Sequence, residues 1–350
     1  MRSSEVAFEF AGRPLVTIAI PTFNRAALLR ECIESALSQT YENIEVLVSD
    51  NASTDDTSEV LREFDDKRLR VLSQETNIGL LPNWNACLAA AAGDYVVFVS
   101  DDDRISPSLL DRCVDTIPMH SEVPIVVALS NFRLSSSGRT KPARVSKRIV
   151  SGLRDGIDVL SEYLTDQIDV TMCCVLLRTQ ALRSRGGFPL DFPHTADVAA
   201  WAPLLFQGKV GFVNEACATY NFHEDSETSK LGVAQILLDG RKITNLIGCM
   251  ADERIEDRLR REEVKLQARR CFSRRGLVFL TYHRSNGASL FQILTLVWRS
   301  RADLMVADKL SVLRFAAIIL CPRPIADRLR HLKQSLAEGW RDRQTAVRPG

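Results

Sequence analysis

The sequence predicts an α/β fold with a mixed, mainly parallel sheet flanked by helices, followed by an α-helical C-terminal extension. Two observations predict it. Short apolar runs rich in β-branched residues alternate with amphipathic helical patterns through the first hundred residues, and polar loops directly follow three of these runs. Because ligands bind beyond the carboxyl ends of parallel strands, we expect these loops to converge on one edge of the sheet.

The first two strands are each followed by a polar loop. The run Val16–Ile20 predicts strand one, and the loop Pro21–Arg25 comes next. Apolar residues at helical spacing predict a helix over about 26–39. The run Ile44–Val48 predicts strand two, and the polar stretch Ser49–Thr57 follows it.

The third and fourth strands complete the alternation. A short strand is predicted at Leu69–Leu72, followed by the turn Asn77–Gly79 and a helix through Trp84 to Ala92. The run Tyr95–Val99 consists only of β-branched and aromatic residues, which is typical of a strand buried inside a sheet.

Three consecutive aspartates, Asp101, Asp102 and Asp103, follow that buried strand. Like charges at such range raise one another's pKa unless a cation lies among them. Hard oxygen ligands suit Mg²⁺ or Mn²⁺, which would hold a phosphorylated substrate. The alternative is a solvated acidic turn that begins the next helix, with Ser106 or Asp103 as the N-cap.

The order and spacing of several motifs together resemble the inverting family 2 glycosyltransferases, which have the Rossmann-like, nucleotide-sugar-binding fold called GT-A. The matching stretches, over roughly residues 14–225, are PTFNR (21–25), VSDNASTDDT (48–57), NIGLLPNWNACLAAAAGDYVVFVSDDD (77–103), GGF (186–188), AD with Trp201 (196–201) and YNFH (220–223). The resemblance implies transfer of a sugar from a nucleoside-diphosphate sugar to a hydroxyl of a glycan or lipid-linked acceptor. The usual setting of such chains is bacterial surface polysaccharide synthesis.

The resemblance also assigns the donor site. It implies nucleotide-sugar contacts for ten residues: Pro21, Thr22, Asn24, Arg25, Asp50, Asn51, Asn77, Asn83, Asp101 and Asp102. Asp50 would accept a hydrogen bond from the ring N–H of the base, since a carboxylate prefers a donor edge. The alternative for Asp50 is a cap for the helix that opens near Thr54. Asn77 and Asn83 are equally consistent with turn chemistry.

Metal ligands follow from the family's D-x-D pattern and the proline after it. Counting back from Pro107 places Ser100 on the first acidic position and Asp102 on the second. Asp102 is therefore the predicted ligand of Mn²⁺ or Mg²⁺, and Asp103 is either a further ligand or a supporting group. His223 is the family's candidate to complete the metal site, or else a surface hydrogen-bonding residue.

The candidate catalytic base is Asp197. The turn Gly186–Phe188 resembles the one before the acceptor site, and family members usually carry Glu-Asp on the following helix, where the aspartate is the base. This chain has Ala196 before Asp197, so the base position is kept and the neighbouring acid is lost. The alternative is that Asp197 only caps its helix.

Charge divides the chain into two regions. From residue 231 onward, 23 basic and 12 acidic residues give +11, whereas residues 1–230 carry −10. We therefore predict a glycosyltransferase domain over 1–230 and a basic α-helical region over 231–350. The segment Leu310–Leu320, with Arg314 inside it, is too short to span a membrane. It is consistent with peripheral membrane contact or with a helical hairpin packed on the catalytic domain.

Composition limits the remaining classes. Residues 1–14 lack the apolar core of a signal peptide, and no apolar run reaches eighteen residues, so we expect a cytoplasmic protein, either free or peripheral at the inner face of the membrane. The nine cysteines without a Cys-x-x-Cys spacing are typical of free thiols rather than of a zinc site. No stacking platform for nucleic acid is evident. The oligomeric state is not assigned.

Two rival classes remain at this stage. A nucleotidyltransferase also combines a parallel sheet with an acidic metal site, but the loop Pro21–Arg25 lacks the expected Gly-rich, basic signature. No Gly-rich phosphate loop follows any strand, which argues against kinases and dehydrogenases. A catalytically degenerate nucleotide-sugar-binding protein is the other rival, because Ser100 and Ala196 replace acidic residues of the family pattern.

Overall fold

A computed structural model describes residues 12–119, 121–134, 138–145, 149–222 and 231–320. Its elements alternate between strand and helix through the first hundred residues. In chain order they are β1 (Val16–Thr22), α1 (Ala26–Leu37), β2 (Ile44–Asp50), α2 (Thr57–Arg62), β3 (Leu69–Ser73), α3 (Leu80–Ala90), β4 (Tyr95–Phe98), β5 (Arg104–Ile105) and α4 (Leu109–Val114). The predicted alternation is confirmed, with bounds that differ by one to four residues.

The middle of the chain adds further strands and short helices. They are β6 (Ile125–Leu134), β7 (Arg139–Lys141), β8 (Gly152–Asp155), α5 (Gly156–Leu164), β9 (Val175–Arg178), α6 (Thr179–Arg183), α7 (Ala196–Trp201) and β10 (Lys209–Phe222), with 3₁₀ turns at Met172–Cys174 and Ala202–Gln207. The last of these strands, β10, is 14 residues long.

All ten strands described belong to one mixed sheet, in the order β3-β2-β1-β4-β9-β6-β10-β5, with β7 beside β6 and β8 beside β10. The first four strands are mutually parallel, so the carboxyl ends of β1, β2 and β4 reach the same edge. Strand β9 runs antiparallel between β4 and β6. The residues of β1 are buried, which explains why the run is mainly apolar. The predicted α/β class with a mixed sheet is confirmed.

Strand β10 is irregular. It pairs with β6 in parallel, and its register shifts twice, between Phe212 and Ala216 and again between Ala216 and Ala218. Its far end pairs with β5, with Ala218 opposite Ile105 and Thr219 opposite Arg104. Because β5 directly follows the three aspartates, β10 joins the acidic turn to the rest of the sheet.

The described part of the C-terminal region, residues 231–320, is helical, as predicted. The helices are α8 (Val233–Arg254), α9 (Arg258–Ser285), α10 (Leu290–Arg299), α11 (Arg301–Leu304) and α12 (Lys309–Leu320). Residues 321–350 of the predicted basic helical region lie outside the described residues. No helix among those described combines the length and apolar character that crossing a membrane requires.

The chain forms two compact units, Met1–Cys271 and Phe272–Gly350. The first unit includes α8, which lies beyond the change in net charge at residue 230. The functional division predicted at that residue stays a prediction.

Candidate active site

Three polar loops meet at the carboxyl edge of the parallel strands. The Thr22 hydroxyl, at the end of β1, donates to Asp101 Oδ2 over 2.7 Å. The backbone N–H of Asn51, after β2, donates to the Thr22 carbonyl over 3.0 Å. The ends of β1, β2 and β4 are thus joined directly, as the sequence predicts for a parallel sheet.

The first loop is shaped by Asn24, which adopts a left-handed backbone conformation with φ 52°. Asparagine tolerates this region better than most residues. The Asn24 side chain accepts from the Thr54 N–H over 2.7 Å, and its own N–H donates to Ser53 Oγ over 2.9 Å. The loop of β1 is therefore fixed against the loop of β2, and Pro21 is buried behind it.

The three aspartates are nearly buried, with exposures of 4%, 8% and 2% for Asp101, Asp102 and Asp103. One atom, Nη1 of Arg25, lies 3.1 Å from Asp101 Oδ1 and 3.0 Å from Asp102 Oδ2. Burial raises the pKa of Asp101 to about 6, although Arg25 opposes the rise. The turn therefore holds negative charge in a poorly solvated place, with a guanidinium between two carboxylates.

Asp103 points to β10. Its Oδ1 accepts from the backbone N–H of Asn221 over 2.9 Å, and the Asn221 side-chain amide donates to the Asp102 carbonyl. Burial raises the pKa of Asp103 well above its usual range, and the Cys173 thiol next to it adds to the rise. Asp103 thus ties the acidic turn to β10, a role consistent with the supporting group predicted as one of its two alternatives.

Asp50 ends β2 and remains partly exposed. Its Oδ1 accepts from the Ser53 N–H over 3.0 Å, within its own loop. Asn51, in contrast, is buried and accepts from the Ile78 N–H, while its amide donates to Asn77 Oδ1 over 3.0 Å. Of these residues, Asp50 has the oxygen best placed to meet a ligand, and Asn51 and Asn77 connect two loops.

Asn83 lies inside the protein, with 2% exposure. Its Oδ1 accepts from the Ser49 hydroxyl over 2.7 Å, and its Nδ2 donates to the Ser49 carbonyl over 3.1 Å. Both ends of the amide are used to fix α3 against β2. Asn83 therefore lies in a helix and not in the turn that the sequence also allowed, and its nucleotide contact stays a prediction.

The turn Gly186–Phe188 is fixed by Asn85 of α3. The Phe188 N–H donates to Asn85 Oδ1 over 2.8 Å, and Asn85 Nδ2 donates to the Phe188 carbonyl over 2.9 Å. Gly187 has φ 75°, and a Cβ there would lie 2.4 Å from Asn85 Oδ1, so glycine is required. Two of the stretches that match the family, about a hundred residues apart, are thus joined by the pair of hydrogen bonds between Asn85 and Phe188.

Asp197 occupies the first turn of α7 and is partly exposed, whereas Ala196 before it is buried. Burial raises the pKa of the Tyr220 phenol, and the negative charges of Asp103, Asp102 and Asp197 add to the rise. Tyr220 on β10 therefore lies within electrostatic range of both the acidic turn and Asp197.

Helix α8 supplies contacts that the sequence reasoning missed. Asp239, which is fully buried, accepts from the His194 N–H over 2.7 Å and from Gln235 Nε2 over 2.8 Å. Lys242 Nζ donates to the Asp191 carbonyl over 2.6 Å. The available signal was Asp239 itself, a lone acid at helical spacing between the apolar residues Ile236 and Ile243.

His223 lies outside the described residues, so its predicted role as a ligand stays a prediction. Within the described ranges, no group of three or more His, Cys, Asp or Glu side chains is arranged to hold a metal ion. The oxygens of Asp101 and Asp102 are nevertheless the hard donors that Mg²⁺ and Mn²⁺ prefer, and they converge on one point.

Comparison with known proteins gives the class. The model of the family described as glycosyl transferase family 2 matches residues 17–182. An uncharacterized glycosyltransferase of Haemophilus influenzae is 31% identical over 226 residues, which cover 62% of this chain and 68% of that protein. The chain therefore belongs to glycosyl transferase family 2, and it is a glycosyltransferase.

Solved structures agree on the fold. A crystal structure of S. aureus TarS (residues 1–349) in complex with UDP has a TM-score of 0.63 at 18% identity, covering 90% of this chain and 87% of that one. The mannosyltransferase PcManGT from Pyrobaculum calidifontis, in complex with GDP-Man and Mn²⁺, has a TM-score of 0.54 at 18% identity, covering 91% of this chain and 87% of that one. Both are GT-A folds, so the predicted fold is confirmed.

Several curated relatives are much longer than the matched region. The chain spans 22% of the hyaluronan synthase of Pasteurella multocida and 31% of the chondroitin synthase of Escherichia coli. The activities of those whole proteins are therefore not transferred to this chain.

Proposed function

We propose that the protein is a metal-dependent inverting glycosyltransferase that moves a sugar from a nucleoside-diphosphate sugar to a hydroxyl of a glycan or lipid-linked acceptor. The observation that carries the proposal is the junction of three strand ends: Thr22 lies opposite Asp50 in the pairing of β1 with β2, and its hydroxyl donates to Asp101, which follows β4. The relatives that include hyaluronan and chondroitin synthases support bacterial polysaccharide synthesis as the setting.

The donor would lie against the loops of β1 and β2. Asp50 is partly exposed and has the capacity to accept a hydrogen bond from a base N–H. The loop Pro21–Arg25 is fixed by its bonds to the next loop, so it would present a preformed surface to the ribose and phosphates. TarS with UDP-GlcNAc and PcManGT with GDP-Man support a nucleotide-sugar donor as the ligand class.

Asp102 is the proposed first ligand of Mn²⁺ or Mg²⁺, with His223 and Asp103 as further candidates. When bound, the ion supplies positive charge to the departing nucleoside diphosphate. Oδ1 of Asp103 already accepts a hydrogen bond from the Asn221 N–H, so part of its capacity as a ligand is used. We therefore place Asp102 ahead of Asp103.

Asp197 is the proposed base. Its partly exposed carboxylate would accept the proton of the acceptor hydroxyl as that oxygen attacks the anomeric carbon. Attack from the face opposite the phosphate inverts the configuration in one displacement. The sugar passes through a transition state with oxocarbenium character, as in glycoside hydrolysis.

The test is donor-dependent release of nucleoside diphosphate by the full chain, measured with UDP-, GDP-, dTDP- and CDP-sugars, with and without Mn²⁺, in the presence of pooled polysaccharide and lipid-linked acceptors. Transfer with one donor and its loss on chelation are expected. Binding of a donor without turnover would instead support the degenerate nucleotide-sugar-binding protein, the alternative favoured by Ser100 and Ala196. Turnover that survives chelation would contradict metal dependence.

The proposal extends to peripheral membrane contact through the C-terminal helices. In the second unit, helix α10 exposes Phe291 by 80%, Trp298 by 69% and Leu294 by 49%. These positions are separated by three and four residues and so share one face of the helix. Residues 272–320 contain seven Lys or Arg and two Asp or Glu, a balance that favours an anionic lipid surface.

A further inference from the structure

Arg25 holds the place between the two carboxylates that a divalent cation would need. Its Nη1 lies 3.1 Å from Asp101 Oδ1 and 3.0 Å from Asp102 Oδ2, and its side chain is only 20% exposed. Asp101 and Asp102 are themselves nearly buried. Two buried like charges need a cation, and in this structure the guanidinium serves that need.

A metal ion and this guanidinium cannot occupy that place together. Mg²⁺ requires oxygens at about 2.1 Å, so an ion bound to Asp101 Oδ1 and Asp102 Oδ2 would lie where Nη1 now lies. The second oxygen of Asp101 already accepts from the Thr22 hydroxyl over 2.7 Å. Two cations at such range in a poorly solvated site would also repel each other strongly.

We propose that Arg25 is the competing cation of the metal site, so that metal binding displaces its guanidinium from Asp101 and Asp102, and that the displaced guanidinium then pairs with the donor pyrophosphate. The inference rests on the proposed function, because the ion and the pyrophosphate belong to that reaction. It goes further than that function because it assigns Arg25 two anionic partners in succession, first the carboxylates of Asp101 and Asp102 and then the donor pyrophosphate.

The position of Arg25 allows this exchange. The residue immediately precedes α1, in the loop that Asn24 fixes against Ser53 and Thr54. Its backbone is therefore held at the sheet edge while its long side chain can change direction. A guanidinium pairs with phosphate oxygens through two parallel hydrogen bonds, so the pyrophosphate offers a partner as good as the lost carboxylates.

The exchange makes an energetic link between two ligands. When the metal ion binds alone, it displaces the Arg25 guanidinium, which then has no new anionic partner. When nucleoside diphosphate is also bound, its phosphate oxygens provide that partner. Each ligand should therefore strengthen the binding of the other. An uncharged residue 25 would remove the competitor and weaken this coupling.

The experiment measures Mn²⁺ binding to the full chain by electron paramagnetic resonance and calorimetry, with and without UDP and GDP. Arg25→Met removes the charge but keeps much of the side-chain length. We expect it to tighten Mn²⁺ binding in the absence of nucleotide by roughly fivefold or more, the lower range of typical coupling. The increase of Mn²⁺ affinity caused by nucleotide should shrink in the same variant.

Two further variants control the result. Arg30→Met removes an exposed arginine of α1 that pairs with Glu63, and it should bind Mn²⁺ as the parent does. Arg25→Lys keeps a competing cation, so its Mn²⁺ affinity should stay close to that of the parent. It serves as the charge-conserving control at the same position as Arg25→Met. Equal or weaker Mn²⁺ binding by Arg25→Met, or an equal gain in Arg30→Met, would overturn the inference.

The outcomes also separate this inference from the proposed function. A parent protein that transfers sugar with Mn²⁺, beside an Arg25→Met variant with unchanged Mn²⁺ affinity, contradicts only the role of Arg25. A protein for which neither parent nor Arg25→Met binds Mn²⁺ contradicts both the inference and the metal dependence.

Discussion

The position of Asp197 is consistent with both of its predicted roles, the catalytic base and the cap of its helix. It stands in the first turn of α7, where an acidic side chain is favoured by the free N–H groups of the helix. No side-chain cap bond is made by Thr195, the residue before the helix. The Asp197 charge also adds to the rise in the pKa of Tyr220, and a substitution that keeps the shape of Asp197 separates the two roles.

Asp197→Asn keeps the shape of the side chain but removes the proton acceptor. We expect donor and metal binding to stay near the parent values, while transfer falls by roughly two to four orders of magnitude, the usual worth of a positioned base. Steady-state transfer kinetics and calorimetric binding of the nucleotide check this. Near-parental transfer by the variant would place the base elsewhere.

Asp101 predicts a pH dependence of stability in the metal-free protein. Its pKa is about 6 in the folded state because burial outweighs Arg25, against 3.8 for an ordinary aspartate. A raised pKa means that the folded state binds the proton more tightly, so this stabilisation is full below pH 3.8 and is lost as the pH rises through 6. The change amounts to at most about 3 kcal/mol.

Asp101→Asn removes that titration. With chelator present, the free energy of unfolding of the variant relative to the parent should rise by roughly 1–3 kcal/mol between pH 4 and pH 7.5. Urea unfolding followed by circular dichroism at several pH values gives the comparison. A difference that does not vary with pH would contradict the raised pKa.

The residue patterns predicted the candidate site but not its internal bonding. The run of three aspartates after an apolar strand was sufficient to predict an acidic turn, and the family resemblance, with the spacing from Gly-Gly-Phe, assigned the base to Asp197. The different directions of Asp101 and Asp103 were not visible in the sequence, because they depend on a β10 residue, Asn221, that is more than a hundred positions away.

Helix α8 is the element that holds the approach to Asp197. Asp239 accepts from the His194 N–H, and Lys242 binds Asp191 through its carbonyl and, over 3.1 Å, through its carboxylate. The segment between Asp191 and Thr195 is thus fixed at both ends just before α7 begins. A helix outside the range matched by the family model therefore sets where the candidate base lies.

Asp239→Leu should displace that segment. We expect the turnover number for transfer to fall by roughly 10–100-fold, as small misplacements of a reacting group do, with the donor KM and nucleotide affinity near the parent values. Asp239→Asn keeps an oxygen for the His194 N–H and should recover part of the rate.

Asp252→Leu is the matched control. It removes an acid from the same helix that is exposed and paired with Lys265, and its transfer rate should equal that of the parent. Lys242→Met gives a second, milder test if Asp239→Leu fails to fold. Full activity in both Asp239→Leu and Lys242→Met would contradict a positioning role for α8.

Among the elements, the parallel half of the sheet was predictable and the antiparallel half was not. Strands β1 to β4 follow one another with helices between them, so local periodicity and the rule for parallel sheets give their arrangement. Strand β9 lies between β4 and β6, a placement set by pairing between distant segments. Periodicity along a single chain carries no information about such pairing.

At the scale of the whole molecule, charge and exposed apolar area coincide in the second unit. Besides the face of α10, Leu310 and Leu313 of α12 are 56% and 66% exposed. Arg314, on the same helix, is exposed as well. Aromatic and aliphatic side chains beside cations are typical of helices that lie in a lipid interface.

The full chain should bind vesicles that contain phosphatidylglycerol, bind phosphatidylcholine vesicles weakly, and dissociate as salt rises, because exposed charges are screened beyond about 8 Å at physiological salt. Phe291→Ser should weaken binding by roughly tenfold or more, since burying a phenylalanine contributes about 1.5–3 kcal/mol. Vesicle co-sedimentation measures both.

Met119→Ser, which changes an apolar residue of the first unit that is 75% exposed, is the matched control and should bind as the parent does. Equal losses in the two variants would contradict a role for α10. Sedimentation velocity in the absence of lipid distinguishes the competing occupant of this face, a second copy of the chain, because Phe291→Ser would then dissociate a dimer.

The two register shifts of β10 have a consequence for how this strand can change in length. Side chains alternate between the two faces of a strand, so one inserted residue reverses every side chain beyond it. The irregular stretch between Phe212 and Ala218 already interrupts that alternation, so we expect a residue inserted upstream of it to be absorbed there and not to alter the strand at Asn221. Beyond Ala218 no such freedom exists, since one extra residue would turn Tyr220 away from its face and move the Asn221 N–H off Asp103. We therefore expect insertions and deletions in β10 to be tolerated before the irregular stretch and not after Ala218.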